Sequence, residues 1–361
     1  MDSAALEQPA TTEAESGRWR RFIVLLVAVL TGLIGAAYLL VLLADPYDVV
    51  PFSLPLERRI VGFNQRYMYP QIVRSRKFDS FLVGTSTSRL IDPAVLGEGL
   101  GARLANLSTN AMSPWEQQAM VGYIFRHAGA PKTLIMGIDI TWCHSLADRN
   151  RITHHGYPAW LYDDNPWNDY WYFLNSEAVK LAGRMVGYWL GINRERIRYD
   201  GFQVFTPPES AYDAAKAQGY IWPSGRREIP FGVPPPVLSE SERAALSFPA
   251  LNWLNDILER LPATCEVLIY LPLHVAYYPW PGSQEAAVAQ ECKARVAAMA
   301  RKTGTKVIDY GIVSPITTND SNYWDSQHYR LPIGYRIARE LIPAILEGRP
   351  SADGSYRIVV P

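Results

Sequence analysis

The sequence has no excess of charge of either sign and very little cysteine. Its 361 residues carry 35 Lys+Arg and 35 Asp+Glu, which argues against a general nucleic-acid binder, because such proteins need a basic face for phosphates. The three cysteines, Cys143, Cys265 and Cys292, contain no Cys-x-x-Cys pair, so zinc-knuckle and thioredoxin motifs are excluded. Either one pair of them is bridged and one thiol remains, or they are buried as small hydrophobic side chains.

Motifs for nucleotide, hydride and metal chemistry are also missing. The chain has no P-loop, no Gly-x-Gly-x-x-Gly segment and no metalloprotease motif. His154 and His155 have no carboxylate or cysteine at ligand spacing, which makes a metal site improbable. No cofactor and no metal is therefore predicted.

Only one long apolar run is present, at residues 22–44. It contains no charged residue and would extend about 34 Å as a helix, enough to cross a hydrocarbon core of about 30 Å. A cleaved signal peptide is the alternative, but the apolar run is long for one and the segment after it is a poor cleavage site. An uncleaved anchor is the favoured interpretation.

The charges on either side of this run predict its orientation. Three arginines precede it and two aspartates follow it: Arg18, Arg20 and Arg21, then Asp45 and Asp48. Because positive flanks stay in the cytoplasm, residues 1–21 are predicted to be a cytoplasmic tail and the chain beyond residue 44 to be exported. In a bacterial cell this is a single-pass protein of the inner membrane with its main domain in the periplasm or outside.

Short apolar segments alternate with helical patterns from residue 77 onward. Strands are predicted at 78–83, 103–107, 133–138, 267–271 and 306–309, and helices at 114–127, 285–303 and 333–346. Continuous apolar strands separated by helices are typical of a parallel sheet that is covered on both faces. The predicted fold class is α/β, with a doubly wound, mostly parallel sheet.

The remaining segments divide the chain further. Residues 45–76 are predicted to be a linker, 77–348 the main domain, and 349–361 a tail with a small edge strand at 356–359. Within the domain, residues 145–240 form an aromatic-rich insertion with one helix near 176–190 and no sheet of its own. Its aromatic residues, together with one just before the insertion, fit either a sugar-stacking wall or a packed core. They are Trp142, which precedes the insertion, and Trp160, Tyr162, Trp167, Tyr170 and Trp171 within it.

Two segments carry residues suited to nucleophilic catalysis. The first predicted strand runs into the segment GTSTSRL at 84–90, which places Ser86 at the carboxyl end of a parallel strand, where open α/β sheets bind ligands. Near the other end of the chain, Asp325 precedes His328 by three residues, a spacing that lets the carboxylate orient the imidazole as a base. Taken singly, the first segment also fits an ordinary Ser/Thr turn, and the second fits a solvated Asp/His pair on the surface. Together they favour a Ser–His–Asp site.

The order of these segments resembles the SGNH (GDSL-like) hydrolase superfamily, over residues 81–96, 104–114, 134–142 and 307–342. Within it, the chain is most similar to membrane-anchored AlgJ/AlgX-like and DltD-like proteins of envelope and exopolysaccharide acylation. The resemblance implies an SGNH, flavodoxin-like three-layer fold, with Ser86 as nucleophile, His328 as base and Asp325 as its orienter. It also implies an acyltransferase or acylesterase that acts on cell-surface or secreted polysaccharide, with a multi-span membrane O-acyltransferase as partner.

The chain departs from the superfamily pattern at several positions. Thr85 stands where an aspartate usually precedes the nucleophile, and Asp139 stands where an amide donor to the oxyanion is expected. An ionised carboxylate cannot donate a hydrogen bond, so the expected donors are the Ser108 backbone and the side chain of Asn106 or Asn110.

Two further interpretations stay open. Arg89 would hold an anionic substrate group or pair with a carboxylate such as Asp139. The alternative function is a non-catalytic SGNH-fold scaffold or glycan-binding component of the same kind of complex.

Overall fold

The computed structural model describes residues 13–261 and 266–361. Residues 1–12 of the predicted tail and Cys265 lie outside the described residues. The helices α1–α12 are Glu13–Ala44, Gln65–Arg74, Pro93–Leu100, Pro114–His127, Ala159–Tyr162, Pro166–Tyr172, Ser176–Trp189, Ala214–Ile221, Glu240–Ala245, Ala250–Leu258, Gln284–Thr303 and Leu331–Glu347. The strands β1–β6 are Ser80–Val83, Leu104–Asn106, Thr133–Ile138, Glu266–Tyr270, Lys306–Asp309 and Arg357–Val360.

The first helix contains the apolar run. Its stretch Ser16–Ala44 is long and apolar enough to cross a membrane, and its most apolar window is entirely unburied. A signal sequence would have the same properties. The last turns are different, because Val41 and Ala44 are buried in the body and α1 packs along α7 there.

The six strands form one sheet in the order β2-β1-β3-β4-β5-β6. The first five strands are parallel, and β6 pairs with β5 in the antiparallel direction. Every residue of β1, β2 and β4 is buried, as expected for short apolar strands inside a parallel sheet. The predicted α/β class with a mostly parallel sheet is confirmed.

Successive side chains of the strands enter two different hydrophobic clusters. Phe81 and Val83 of β1 join a cluster with α4, α10 and α11, whereas Leu82 joins one with α3 and α12. This follows from the period of two in a strand. Helices therefore cover both faces, and the carboxyl ends of the parallel strands are left for the loops that carry the candidate site.

Residues 45–76, predicted to be a linker, are part of the packed body. Tyr47 and Ile60 are fully buried, and α2 buries Met68 and Tyr69 in the main cluster. The missed signal was the apolar spacing of α2, which is that of an amphipathic helix. The helix α1 and the body are consequently joined without a flexible spacer.

The aromatic-rich insertion adds short helices but no strand among its described residues. It contains α5, α6, α7 and α8, of which only α7 was predicted. Trp160, Tyr162 and Phe173 are buried in the main cluster, so the insertion shares the core of the domain. Trp167 and Trp171, in contrast, are exposed.

A disulfide joins Cys143, in the segment after β3, to Cys292 in α11. The two cysteines are separated by 149 residues in sequence. Of the two alternatives drawn from the sequence, this is the bridged pair.

Candidate active site

Ser86 lies in a tight turn directly beyond β1. The strand ends at Val83, and Ser86–Ser88 form a single 3-10 turn. Glycine is required next to this turn, because a Cβ on Gly84 would lie 2.2 Å from Ser88 Oγ and one on Gly137 would lie 2.5 Å from it. The two glycines thus make room for the buried Ser88 side chain, and the turn can project Ser86 from the sheet edge.

The structure brings Ser86 and His328 together. Ser86 Oγ lies 2.9 Å from His328 Nε2, although the residues are 242 positions apart. On the other side of the ring, His328 Nδ1 lies 2.8 Å from Asp325 Oδ2. This is the order of contacts in which a carboxylate fixes the tautomer of an imidazole and the second nitrogen takes the hydroxyl proton.

The Asp325–His328 loop is held by its own hydrogen bonds. The His328 N–H donates to Asp325 Oδ1 over 2.8 Å, and the Trp324 N–H donates to the His328 carbonyl over 2.9 Å. The Tyr329 hydroxyl donates to the carbonyl of Thr87 and so joins this loop to the serine turn. Burial raises the pKa of Asp325, but the hydrogen bonds and the charge of His328 outweigh it and hold this pKa below its usual value.

Asn106 supports the serine turn from the neighbouring strand. Its amide group donates to the carbonyls of Ser88 and Ile91 over 2.9 and 3.0 Å, and its carbonyl accepts the Ser108 N–H over 3.0 Å. Two of the three expected oxyanion donors are therefore engaged elsewhere, the Asn106 amide group and the Ser108 backbone. The buried Ser108 hydroxyl has no hydrogen-bond partner among the described residues.

Other donors near Ser86 are free. The backbone N–H groups of Ser86 and Thr87 have no acceptor within residues 13–261 and 266–361. Asn110 directs its carbonyl oxygen to Arg89, and over the same residues its NH₂ group has no acceptor. Free N–H groups at the start of a turn are suited to a developing negative charge.

Arg89 does not pair with Asp139. It is buried and donates to the side-chain oxygens of Asn110 and Gln203, while its guanidinium lies 4.3 Å from the centre of the Phe205 ring. Burial lowers the pKa of Arg89, because no carboxylate contacts it. Phe205 also packs edge-on against the His328 ring, with centroids 5.5 Å apart.

Asp139 follows β3 and binds hydroxyl groups. It accepts the Thr141 N–H over 2.9 Å, the Thr141 hydroxyl, and the Thr85 hydroxyl over 3.0 Å. Burial raises the pKa of Asp139, and these hydrogen bonds lower it by less. The carboxylate thus orients Thr85, the residue before Ser86, and has no direct contact with the Ser–His pair.

A large groove begins beside the Ser–His pair. It has a volume of about 1170 Å³ and extends from Thr87 and Asp139 along α11, where Ala289 and Lys293 line it. Its lining is mostly apolar, with Tyr270 among its aromatic side chains. Neither Ser86 nor His328 lines it, so the groove adjoins the pair without containing it.

His274, in the segment after β4, has a structural role. His274 is buried, lies 3.1 Å from Asp320 through Nε2, and accepts the Ala276 N–H through Nδ1. No group of three or more His, Cys, Asp or Glu side chains among the described residues has a geometry suited to a metal ion.

Gln203, Phe205 and Tyr329 contact the site, and sequence reasoning missed all three. Gln203 and Phe205 belong to the insertion, which has no motif that indicates where its side chains point. Tyr329 directly follows His328, and a buried tyrosine needs a partner for its hydroxyl. That was the only available signal.

The chain matches no known family model, and no curated protein is significantly similar to it.

Proposed function

We propose that this chain is an exported, membrane-anchored serine O-acyltransferase or acylesterase that acts on cell-surface or secreted polysaccharide. The observation that carries the proposal is the contact of 2.9 Å between Ser86 Oγ and His328 Nε2, with Asp325 on the opposite ring nitrogen. A serine of ordinary reactivity needs such a base to become a nucleophile.

The proposed reaction has two steps, acylation of Ser86 and then deacylation. His328 takes the Ser86 proton as Oγ attacks the acyl carbonyl, and the protonated ring then returns that proton to the departing alcohol. Acyl-Ser86 remains. A sugar hydroxyl or water next gives its proton to His328 as its oxygen attacks the acyl carbonyl. The bond from the acyl group to Ser86 Oγ then breaks, and the protonated ring returns the proton to Oγ, which restores the free serine. The first acceptor gives transfer and the second hydrolysis, and neither step requires a cofactor.

The donors available for the oxyanion include Asn110, which was expected from the sequence, and the Ser86 and Thr87 N–H groups, which were not. The Ser86 and Thr87 N–H groups and the Asn110 amide have no acceptor within the described residues, whereas Asn106 and Ser108 are engaged. We assign the oxyanion to this free set. Asp139 then needs no role as a donor, and its carboxylate keeps Thr85 in place.

An SGNH-like, doubly wound fold is part of the proposal. Its support is the position of Ser86 after the first strand of a mostly parallel sheet and of the Asp–His pair before the last helix. Export is supported by the exposed apolar α1 and by the Cys143–Cys292 disulfide, because disulfides persist mainly in oxidising compartments.

The groove beside the pair is the place we assign to the polysaccharide. Tyr277, which is 42% exposed, lines it and is suited to stack on a sugar, and the cationic side chains of Lys293 and Arg357 line it as well. The acyl donor that we propose is a multi-span membrane O-acyltransferase, which rests on the resemblance alone.

A second function is favoured by one specific observation. Asp139 occupies the position at which the resemblance expects an oxyanion donor, and its hydrogen bonds are all spent on Thr85 and Thr141. A non-catalytic scaffold or glycan-binding component could keep such a fold while the serine has no function.

The Ser86→Ala variant distinguishes the two functions. With full-length protein in detergent, we expect turnover of a chromogenic acetyl ester to fall at least about 10³-fold, because residual catalysis without the nucleophile is small. Ser321→Ala is the matched control, since Ser321 is an exposed serine whose hydroxyl contacts only Asn319.

The same variants are then compared in cells. Loss of polysaccharide acylation with Ser86→Ala, at unchanged protein level and localisation, supports the enzyme. If deletion of the whole gene abolishes acylation while Ser86→Ala leaves it intact, the scaffold is correct and the acyl-serine is ruled out.

A further inference from the structure

A cluster of exposed aromatic side chains lies next to α1. This aromatic patch consists of Tyr38, Phe52, Trp167, Tyr170, Trp171 and Leu174. Trp167 is 76% exposed and Trp171 85%, unusual values for the largest apolar side chain. Contiguous exposed apolar surface of this kind marks a site of interaction.

The helix α6 holds the two indoles outward. Asn165 caps its first turn by accepting the Trp167 N–H over 3.1 Å. Trp167 and Trp171 are four residues apart and so lie on one face, whereas Asp169 is buried on another. The indoles are therefore displayed by an ordered element.

The patch lies where α1 leaves the body. The Tyr38 hydroxyl of α1 donates to the Tyr170 carbonyl over 3.1 Å. Beyond this point Val41 and Ala44 are buried in protein, whereas the residues before it, from Phe22 to Leu39, include eleven large hydrophobic side chains that are more than one-third exposed. At the level of the patch, α1 therefore passes from a segment with exposed side chains to one whose side chains are buried in the body.

The length of the open segment defines where a bilayer would end. Residues 22–39 extend about 27 Å at 1.5 Å per residue, slightly less than a hydrocarbon core of about 30 Å. With the last turns of α1 inside the body, the outer boundary of the membrane falls at the height of Tyr38 and the aromatic patch. Trp and Tyr are the side chains enriched at this boundary.

We infer that the aromatic patch inserts into the interfacial layer of the outer leaflet and forms a second lipid contact beside the anchor. A phospholipid surface fits better than a glycan, because all six side chains of the patch are aromatic or aliphatic and a sugar site needs several convergent polar groups. The inference requires α1 to remain in the membrane and is independent of the chemistry at Ser86.

The test measures tryptophan fluorescence of the full-length protein in phosphatidylcholine vesicles with brominated acyl chains. Subtracting the signal of the W167F/W171F variant from that of the wild type isolates the two indoles. We expect this difference signal to be quenched by brominated lipid relative to unbrominated lipid. W280F is the matched control, because Trp280 is partly exposed and does not belong to the aromatic patch, and its difference signal is expected to be unquenched.

Two results would overturn the inference. One is a W167F/W171F difference signal that is unaffected by brominated lipid, including the case in which it responds to soluble polysaccharide instead. The other is mature protein whose mass shows that α1 has been removed. Turnover of an acetyl ester by W167F/W171F is expected to equal that of the wild type, so failure here is separate from failure of the proposed function.

Discussion

At the residue scale, Asn106 shows how one buried side chain can organise the turn that carries Ser86. Its three hydrogen bonds connect β2 to the carbonyls of Ser88 and Ile91 and to the Ser108 N–H. Because a buried amide that loses its partners is costly, the turn and the strand end are fixed together. Asn106 is thus a positioning residue, and its sequence neighbourhood had suggested a donor to the substrate.

Glu266, at the start of β4, is a buried carboxyl group without a partner among the described residues. Burial raises the pKa of Glu266 to about 8. Between the ordinary pKa of a glutamate and this value, the carboxyl group is protonated in the folded state and ionised in the unfolded state. Stability must therefore fall as pH rises through this range, by about 2–3 kcal/mol between pH 5 and pH 7. Glu266→Gln is expected to lack this part of the pH dependence.

The measurement is denaturant unfolding of both proteins at pH 5 and pH 7. The difference between wild type and variant removes the contribution of every other titrating group. Equal pH dependence in the two proteins would mean that Glu266 is ionised in the folded state.

Local spacing predicted which residues meet at the candidate site, but not what each one contacts. Asp325 and His328 are close in sequence, and a serine after a strand has a defined place in a parallel sheet, so their proximity followed from general rules. The partners of Arg89 did not, because Gln203 and Phe205 come from an insertion without periodic pattern. Pairing of Arg89 with Asp139 was an expectation from charge alone, and it was wrong.

At the scale of elements, α11 has two roles. Cys292 on one side is buried and bridged to Cys143, while Ala289 and Lys293 face the groove. Asp309 at the end of β5 contacts Lys293 over 2.9 Å and holds the helix against the sheet edge. The helix α11 therefore forms one wall of the groove. Its position is fixed by a disulfide and by an ion pair.

Filling the groove should separate binding from chemistry. Ala289→Trp places an indole on the groove side of α11, and the proposed function predicts a rise of about tenfold in KM for polysaccharide, or about 1.4 kcal/mol of lost binding. Turnover of a small acetyl ester should be unchanged, because Ser86 and His328 do not line the groove.

Ala298→Trp is the control for this experiment. Ala298 is exposed, does not line the groove, and lies nine residues along α11 from Ala289, on the opposite side of the helix. Equal effects of the two variants on polysaccharide kinetics would show that the groove does not bind the substrate.

Elements with a strong period were predictable, and those fixed by tertiary contacts were not. The helices α4 and α11 and the central strands lie within a few residues of their predicted bounds, because each has a clear apolar pattern. The short helices α5 and α6 have fewer than two full turns of pattern. Their formation depends on caps and aromatic packing, such as Trp160 stacked on Tyr172 with centroids 5.4 Å apart.

At the scale of the whole molecule, the Cys143–Cys292 disulfide closes a loop that includes the entire insertion. A cross-link over so long a loop restricts the unfolded chain strongly, and native disulfides typically contribute about 2–4 kcal/mol. We expect the double variant Cys143→Ser/Cys292→Ser to lose stability by this amount in denaturant unfolding.

Dithiothreitol provides the control for this variant. It should destabilise the wild type and leave the double variant unaffected. Titration of thiols in the unfolded, unreduced wild type should find Cys265 alone, and three free thiols would contradict the bridge.

The buried end of α1 has a mechanical consequence. Val41 and Ala44 at the end of α1 are buried in the core, and Tyr47 is buried in the same cluster directly after them. The body is therefore fixed rigidly to this end of the helix. If α1 is the membrane anchor that we propose, this rigid connection would hold the candidate site at a nearly fixed height above the bilayer. Under the proposed function, a long polysaccharide would then be acylated only along the portion that reaches this height, so the way in which it emerges from the membrane, more than its total length, would govern how densely it is acylated.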